Sequence, residues 1–265
     1  MGTSEIPDAR AGESLRVGHE NGVTHLVLDR PDRRNALSSG LMRELLAALR
    51  SLPTPTGVVV IGGMGPAFSA GHDLGELAGC DEPFATELFR LCSELMLTLH
   101  EIPQPVIAQV HGVATAAGCQ LVAACDLAVA SDDATFATPG VKIGLFCSTP
   151  MVPLTRAVGR KRALHMLLTG DAIDAATARD WGLVNDVVPA ADLASAVDDL
   201  AAKILQSSAN VIGIGKRAFY DQIDLDEVAA YRLATPTMIS NAVDADAQEG
   251  IDAFLGKRPP SWPRS

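Results

Sequence analysis

Short apolar runs alternate with amphipathic stretches through the first half of the chain. The runs at 23–29 and 57–62 predict strands, and four leucines between them share one face of a helix that Ser38 would cap: Leu41, Leu45, Leu46 and Leu49. The alternation continues with a helix at 83–102, a strand at 106–110, a helix at 116–125 and a strand at 127–130. This order of elements predicts an α/β fold with largely parallel strands.

From Pro150 onward the pattern becomes helical. Amphipathic segments at 156–168, 174–181, 190–206 and 226–243 predict helices, with one short strand near 184–188. We therefore divide the chain into a flexible N-terminus at 1–14, a core at 15–206 and a C-terminal helical region at 207–265.

Charge and hydropathy narrow the choice of partner. The chain of 265 residues carries a formal charge of -11, which disfavours nucleic acid and anionic membranes as partners. No apolar run approaches the roughly 20 residues that cross a bilayer, so we expect no membrane segment. Hydrophobic residues make up 48% of the chain and aromatic residues only 4%, so the core must be built from small aliphatic side chains.

The cysteines and the N-terminus bear on compartment and metal binding. Five cysteines form no CxxC pair, which indicates reduced thiols, and the histidines lack the spacing of metal ligands, so we expect no metal site. Residues 1–14 lack the apolar centre of a signal peptide and are too acidic for a transit peptide. These features predict a cytoplasmic protein.

Six short motifs follow one another in a fixed order. They are Asn35-Ala36-Leu37, Phe68-Ser69-Ala70-Gly71-His72-Asp73-Leu74, His111-Gly112-Val113-Ala114-Thr115-Ala116-Ala117-Gly118-Cys119, Cys125-Asp126-Leu127-Ala128, Thr169-Gly170 and Trp181-Gly182-Leu183-Val184. In this order they resemble the enoyl-CoA hydratase/isomerase family, also called the crotonase superfamily, from Leu15 to Pro260. The resemblance implies the crotonase (ClpP-like) fold, a spiral of repeated ββα units with a C-terminal helical region used in assembly. It also implies a homotrimer or a dimer of trimers.

The resemblance implies an oxyanion hole for an acyl-CoA thioester. In that family two backbone N-H groups receive the negative charge that develops on the thioester oxygen. The matching donors here are the N-H groups of His72 and Ala117, the second at the start of a helix whose dipole adds positive potential. The His72 imidazole could be an acid, a hydrogen-bond donor or a bystander.

Further positions match the substrate-binding segments of the family. They are Arg34, Ala36, Leu37, Ala70, Gly71, Asp73, Leu74, Val113, Ala116, Pro139, Cys147, Phe254 and Lys257. Coenzyme A would enter as part of the substrate and not as a tightly bound cofactor, and Phe254 and Lys257 would reach the ligand of a neighbouring subunit. The basic residues could instead serve only to solubilise an acidic protein.

Two carboxylates expected from the resemblance are missing. Gln120 and Gly140 match the positions at which hydratases of the family hold and activate water with glutamates. A glutamine amide cannot take a proton near neutral pH, so we expect weak or no hydration of enoyl-CoA. The chain would then be an acyl-CoA enzyme of lyase or isomerase type, in fatty acid or acyl-CoA metabolism.

Two alternatives stay open. A branch resembling methylmalonyl-CoA decarboxylase also lacks both glutamates, because loss of CO2 needs only a held carboxylate and an oxyanion hole. The segment Gly144-Leu145-Phe146-Cys147-Ser148-Thr149-Pro150 resembles enoyl-CoA hydratase domain-containing proteins, which could bind acyl-CoA without turnover. The glycines near 61–66 lack a full dinucleotide fingerprint, and no histidine adjoins Cys147 to activate it as a nucleophile.

Overall fold

The computed structural model describes residues 10–11 and 14–262. The predicted flexible N-terminus lies outside the described residues except at positions 10, 11 and 14. The strands are β1 Arg10–Ala11, β2 Leu15–Glu20, β3 Val23–Leu28, β4 Val58–Gly63, β5 Ala67–Ser69, β6 Val106–Val110, β7 Val113–Thr115, β8 Leu127–Ser131, β9 Thr135–Ala137, β10 Ile173–Asp174 and β11 Asp186–Val188.

Helices fill the connections between these strands and make up the last third of the chain. They are α1 Ser39–Arg50, α2 Leu74–Leu77, α3 Glu82–Glu101, α4 Ala117–Ala124, α5 Met151–Val158, α6 Arg160–Thr169, α7 Ala175–Trp181, α8 Leu193–Leu205, α9 Ala209–Gln222, α10 Glu227–Ala242 and α11 Ala245–Leu255. Short 3-10 turns occur at Pro31–Arg33, Pro139–Ile143 and Ala190–Asp192. In the part of the chain described, no helix is long and apolar enough to cross a membrane.

The strands form two sheets. The larger has the order β1-β2-β3-β4-β6-β8-β11, with parallel pairing from β3 to β11 and antiparallel pairing at β1 and β2. The smaller has the order β10-β9-β7-β5, parallel except at β10. Successive units β4-β5-α3, β6-β7-α4 and β8-β9-α5 each contribute one strand to each sheet, which confirms the predicted ββα repeat.

The predicted amphipathic helix between β3 and β4 forms as expected. Ser38 caps α1 by accepting the Leu41 N-H at 3.2 Å, and this side chain bond satisfies one of the free donors of the first turn. Leu41 and Leu45 are fully enclosed, and they pack with buried residues of α3 and the larger sheet in one core. Regular spacing and a cap residue were therefore sufficient to predict this element.

Two sequence predictions need correction. The helix predicted at 156–168 is interrupted at Gly159, whose φ of 78° is outside the helical region, and the segment divides into α5 and α6. The second sheet was not predicted, and α9 and α11 were predicted only as part of the helical region at 207–265. Strands of two or three residues are too short to show an alternating pattern of apolar and polar residues. The boundary proposed at 206 stays a prediction.

A buried polar cluster joins α9 to the core. Lys216 donates to the carbonyls of Leu99 and Gln104 at 2.6 and 2.7 Å, and its ammonium lies 2.6 Å from the Asp126 carboxylate. Asp126 also accepts the Tyr220 hydroxyl at 2.7 Å. The Lys216 side chain is only 7% exposed, so each charge depends on the other for compensation.

We predict that Lys216→Met lowers the free energy of unfolding by about 3–5 kcal/mol, because it leaves Asp126 buried without its cation. Lys161→Met, at an exposed position of α6, is the matched control and should change stability by less than about 0.5 kcal/mol. Urea unfolding at a fixed protein concentration measures both. Equal midpoints for the two variants would show that the cluster does not anchor α9.

Candidate functional site

Two loops meet at the amino end of α4. A Cβ placed on Gly71 would lie 2.8 Å from the Cβ of Ala116 and 3.0 Å from the backbone N of Ala117. The Thr115 hydroxyl donates to the Ala70 carbonyl at 3.1 Å and ties the same two segments together. Only glycine allows this approach, and its φ of 89° also favours glycine.

The residues predicted around positions 34–37 and 70–74 come together. The Arg34 carbonyl accepts the Ala70 N-H at 2.9 Å, Leu37 N-H donates to the Gly71 carbonyl at 2.7 Å, and the Leu37 carbonyl accepts Asp73 N-H at 3.3 Å. These bonds form a short parallel ladder outside both sheets. The motif residues of the first two segments therefore line one continuous stretch of backbone.

Two amides at this junction are free to donate. Within the residues described, neither His72 N-H nor Ala117 N-H has a protein acceptor. His72 directly follows Gly71, which contacts Ala117, so the two N-H groups lie on adjoining segments. Free backbone donors near a helix amino end favour an anionic oxygen, which is what the predicted oxyanion hole requires.

Ala116 is held in a strained conformation at the start of α4. Its φ of 50° and ψ of -117° lie outside the regions that alanine normally occupies. The strain is supported on both sides, because Ala116 N-H donates to the Ala137 carbonyl at 2.9 Å and the Ala116 carbonyl accepts Gln120 N-H at 3.0 Å. Val113 is the first residue of β7, and Pro139 begins the 3-10 turn that follows β9.

A polar frame that the sequence did not reveal supports the first loop. Asn35 is fully buried, and its amide donates to the carbonyls of Met64 and Ala67, each at 2.8 Å. Arg30 donates to the Ala36 carbonyl at 2.7 Å and to the Asp73 carboxylate at 2.9 Å. Asn35 in the first motif was the sequence signal for this frame. Nothing in the sequence indicated that Arg30 would donate to Ala36 and Asp73.

The carboxylates nearest the junction are already engaged. Partial burial alone would raise the pKa of Asp73, but the Arg30 guanidinium and the Gly75 N-H lower this pKa below its ordinary value. Glu76 accepts the backbone N-H of Ser39 at 2.8 Å and its hydroxyl at 3.2 Å. Both acids are therefore committed to structure.

The His72 imidazole packs against α3. Its ring meets the Phe89 ring edge-on, with centroids 5.2 Å apart, and its enclosed Nε2 has no partner among the described residues. Burial lowers the pKa of His72 to about 4, although Glu76 acts in the opposite direction. The ring is therefore neutral near pH 7 and brings no positive charge to the site.

Gln120 lies one turn into α4 from Ala117 and is only 3% exposed. The Cys92 thiol of α3 donates to its Oε1 at 3.8 Å, a long but sulfur-typical contact. Burial raises the pKa of Cys92 to about 12, so the thiol stays a donor. Gln120 is thus held at the position predicted for a catalytic acid, without being able to act as one.

Gly140 is covered by the following loop. A Cβ there would overlap the Leu145 carbonyl and lie 2.8 Å from the Cys147 sulfur. Burial raises the pKa of the Cys147 thiol, although the Gly140 amide acts in the opposite direction. No side chain can extend from this position unless the loop moves, and Cys147 is a protonated thiol, which disfavours it as a nucleophile.

Four predicted contact residues are exposed in the single chain, and Arg34 is one of them. Leu74 is 55% exposed and begins α2, and Phe254 is 82% exposed near the end of α11, with Lys257 exposed just beyond it. α11 packs on α9 and α10. The roles predicted for Phe254 and Lys257 on a neighbouring subunit stay predictions.

A separate groove of about 700 Å³ lies between α9 and the turns at 52–57 and 103–104. Its charged lining residues are Arg217 and Asp221, and it adjoins none of the free amides described above. The described residues contain no cluster of three or more His, Cys, Asp or Glu side chains that could hold a metal ion. The junction at α4 is therefore the better candidate site.

The fold and the predicted site identify the class of protein. The enoyl-CoA hydratase/isomerase family model matches residues 18–265, and the chain belongs to this family. It is 47% identical over 246 residues to the mitochondrial enoyl-CoA hydratase domain-containing protein 3 of Rattus norvegicus, covering 92% of this chain and 82% of that protein. The human protein of the same name is 47% identical, with 91% and 81% covered.

Solved structures support the same assignment. An enoyl-CoA hydratase of Mycobacterium smegmatis matches with a TM-score of 0.91 and 45% identity, covering 94% of this chain and 98% of that one. Human enoyl Coenzyme A hydratase domain-containing protein 3 matches with a TM-score of 0.92 and 45% identity, covering 94% and 100%. The predicted crotonase fold is confirmed.

The comparisons contradict one prediction. The relatives of rat, mouse, frog and human origin are mitochondrial proteins, so the prediction of a cytoplasmic protein is wrong. That prediction relied only on the polar, acidic character of residues 1–14.

We predict that His72 does not titrate between pH 7 and pH 5. Its pKa is lowered in the folded state, so the unfolded state takes up a proton first, and the stability that His72 contributes is lost as pH falls from about 6.5 towards about 4. NMR of the ring, assigned with a His72→Gln variant, checks the pKa. A midpoint near 6.5 would contradict burial of the ring.

We predict that Gly140→Ala lowers the free energy of unfolding by about 1–3 kcal/mol, because the new Cβ overlaps the Leu145 carbonyl. Gly215→Ala is the matched control, since a Cβ on Gly215 in α9 would meet no atom within 4 Å. Thermal or urea unfolding compares the two. A stable Gly140→Ala protein would mean that the 145–147 loop yields easily.

Proposed function

We propose that the protein is an acyl-CoA-processing enzyme that stabilises the enolate of a thioester with two backbone amides. The thioester oxygen would accept hydrogen bonds from His72 N-H and Ala117 N-H. The observation that carries the proposal is the close approach of Gly71 to Ala116 and Ala117, which brings together the segments that carry the two unpaired amides. Family membership supports the thioester as the ligand.

Coenzyme A would lie along the backbone of positions 34–37 and 70–74. The two stretches already pair through their backbone groups, and Ala36 and Ala70 present little side chain to obstruct a ligand. Arg34 is exposed beside this ladder and supplies a positive charge for the phosphates of coenzyme A. In this arrangement the adenosine end binds to loops and the acyl end faces α3 and α4.

The reaction would not be conventional hydration. The Gln120 amide can act neither as a general acid nor as a general base, and Gly140 carries no side chain. Asp73 and Glu76 are engaged by Arg30 and Ser39. These residues fit a reaction that depends on oxyanion stabilisation more than on proton transfer. Such a reaction lies within the lyase and isomerase chemistry of the family.

A second candidate is an acyl-CoA binder without turnover. The observation in its favour is the covered position at Gly140, where the Leu145 carbonyl and the Cys147 sulfur fill the space that a catalytic side chain would need. Such a protein would use the two amides only to bind the thioester oxygen. The experiment below separates the two candidates.

The functional unit would be a homotrimer or a dimer of trimers. Large apolar side chains stand exposed on α10 and α11: Tyr231 at 67%, Met238 at 68%, Phe254 at 82% and Leu255 at 74%. Exposed apolar surface of this extent supports burial in an assembly. Phe254 and Lys257 would then contribute to the coenzyme A site of a neighbouring subunit.

We predict that the protein releases CO2 from malonyl-CoA, which leaves the thioester enolate without the need for a base, and that Gly71→Ala slows this release at least about tenfold. The new Cβ pushes apart the segments carrying the two amides, and loss of one oxyanion donor typically costs about 100-fold or more. Gly79→Ala is the matched control, because Gly79 has a similar φ of 71° but no atom within 4 Å of a new Cβ.

Mass spectrometry follows the conversion of malonyl-CoA to acetyl-CoA, and thermal unfolding checks that both variants fold. Crotonyl-CoA in the same assay should give little hydrated product. Binding of malonyl-CoA without loss of CO2, and without products from enoyl-CoA, would favour the non-catalytic candidate. Failure of every coenzyme A thioester to stabilise the protein would contradict both.

A further inference from the structure

The carboxyl end of α4 is bound to three other elements. His100 of α3 donates from its Nε2 to the Ala124 carbonyl at 3.0 Å, because a carbonyl oxygen can only accept. Asp126, two residues past the helix, accepts the Val106 N-H of β6 and the Tyr220 hydroxyl of α9, each at 2.7 Å. α3, β6 and α9 therefore meet at this end of α4.

His100 and Tyr220 act on α4 as a pair. Their rings stack with centroids 3.9 Å apart and planes 11° from parallel. Burial lowers the pKa of His100, although its bond to the Ala124 carbonyl acts in the opposite direction, so the ring is uncharged near pH 7. Burial raises the pKa of Tyr220, and the Asp126 carboxylate raises this pKa further, so the hydroxyl stays protonated. Both groups therefore remain donors towards the end of α4.

The amino end of α4 is held less firmly and has little clearance. No side chain among the described residues caps it, and the strained Ala116 would relax if the helix drew back. A Cβ on Gly118 would lie only 2.3 Å from the Ser69 carbonyl, so the fit on this side is close. α4 is about 12 Å long and buried at seven of its eight residues, so it moves as one rigid unit. A shift allowed at the carboxyl end would therefore displace Ala117.

We propose that His100 and Tyr220 are positioning residues, which fix α4 from its carboxyl end and so set the Ala117 N-H at its amino end. The inference rests on the proposed function, in which that N-H is one of two donors to the thioester oxygen. Such a donor must lie about 2.7–3.1 Å from the oxygen, and a displacement of about 1 Å can lower a rate about 100-fold. The C-terminal helical region thus contributes, through α9, to the site of its own chain.

Tyr220→Phe tests the inference because it removes one hydroxyl and keeps the ring stacked on His100. It should lower kcat for release of CO2 from malonyl-CoA at least about threefold and leave KM within about twofold, since the lost positioning acts on the transition state. His100→Phe acts from α3 and should have the same effect. Ser208→Ala is the matched control, because it removes a buried hydroxyl at the start of α9 that donates to the Asp246 carboxylate of α11. It should lower thermal stability at least as much and leave kcat unchanged.

The C=O stretching frequency of bound butyryl-CoA, labelled with carbon-13 at the carbonyl, gives a readout that does not require turnover. Hydrogen bonds to the thioester oxygen lower this frequency, so Ser208→Ala should lower it as wild-type protein does, and Tyr220→Phe and His100→Phe should lower it less. Unchanged kcat and frequency in both ring variants would overturn the inference and leave the proposed function standing. Losses that follow thermal stability, with Ser208→Ala included, would show a structural role only and would overturn the inference as well. Absence of any frequency shift on binding to wild-type protein would overturn the proposed function itself.

Discussion

The contact between Gly71 and the first residues of α4 is the constraint on which the rest of the site depends. The backbone of Gly71 lies so close to Ala116 and Ala117 that a single methyl group would separate them. The Thr115 hydroxyl and the Gly71 carbonyl, which bind Ala70 and Leu37 respectively, hold the segments in this position. Without this close approach, the two free amides would belong to two unrelated loops.

The strain at this junction is sustained by structure around it. Ala116 keeps a φ of 50° because β9 holds its N-H and the first turn of α4 holds its carbonyl. On the other side, the buried Asn35 amide and the Arg30 guanidinium fix the 34–37 loop through backbone carbonyls. A rigid frame of hydrogen bonds lets weakly stable local conformations persist where a ligand would need them.

The groups in the candidate site are hydrogen-bond donors and uncharged side chains, together with acids that are already engaged. His72 is neutral at physiological pH, the nearby acids are paired, and burial keeps the Cys92 and Cys147 thiols protonated. These groups fit the proposed stabilisation of negative charge on a ligand oxygen better than they fit proton transfer. The chain has the fold of its family, and our proposal of weak or no hydration depends on the state of these residues.

The sequence by itself determined most strands of the larger sheet, the helix α1 and the set of motif residues. Apolar spacing and the Ser38 cap were enough for α1, and the ordered motifs were enough for the family, because both signals reside in short local stretches. The tertiary structure alone decided that Asp126 pairs with Lys216, that Cys92 orients Gln120, and that the 145–147 loop covers Gly140. These contacts join residues far apart in the chain, or depend on atomic clearances that no periodicity encodes. The strained φ of Ala116 was equally hidden, since its neighbours impose it against the preference of alanine itself.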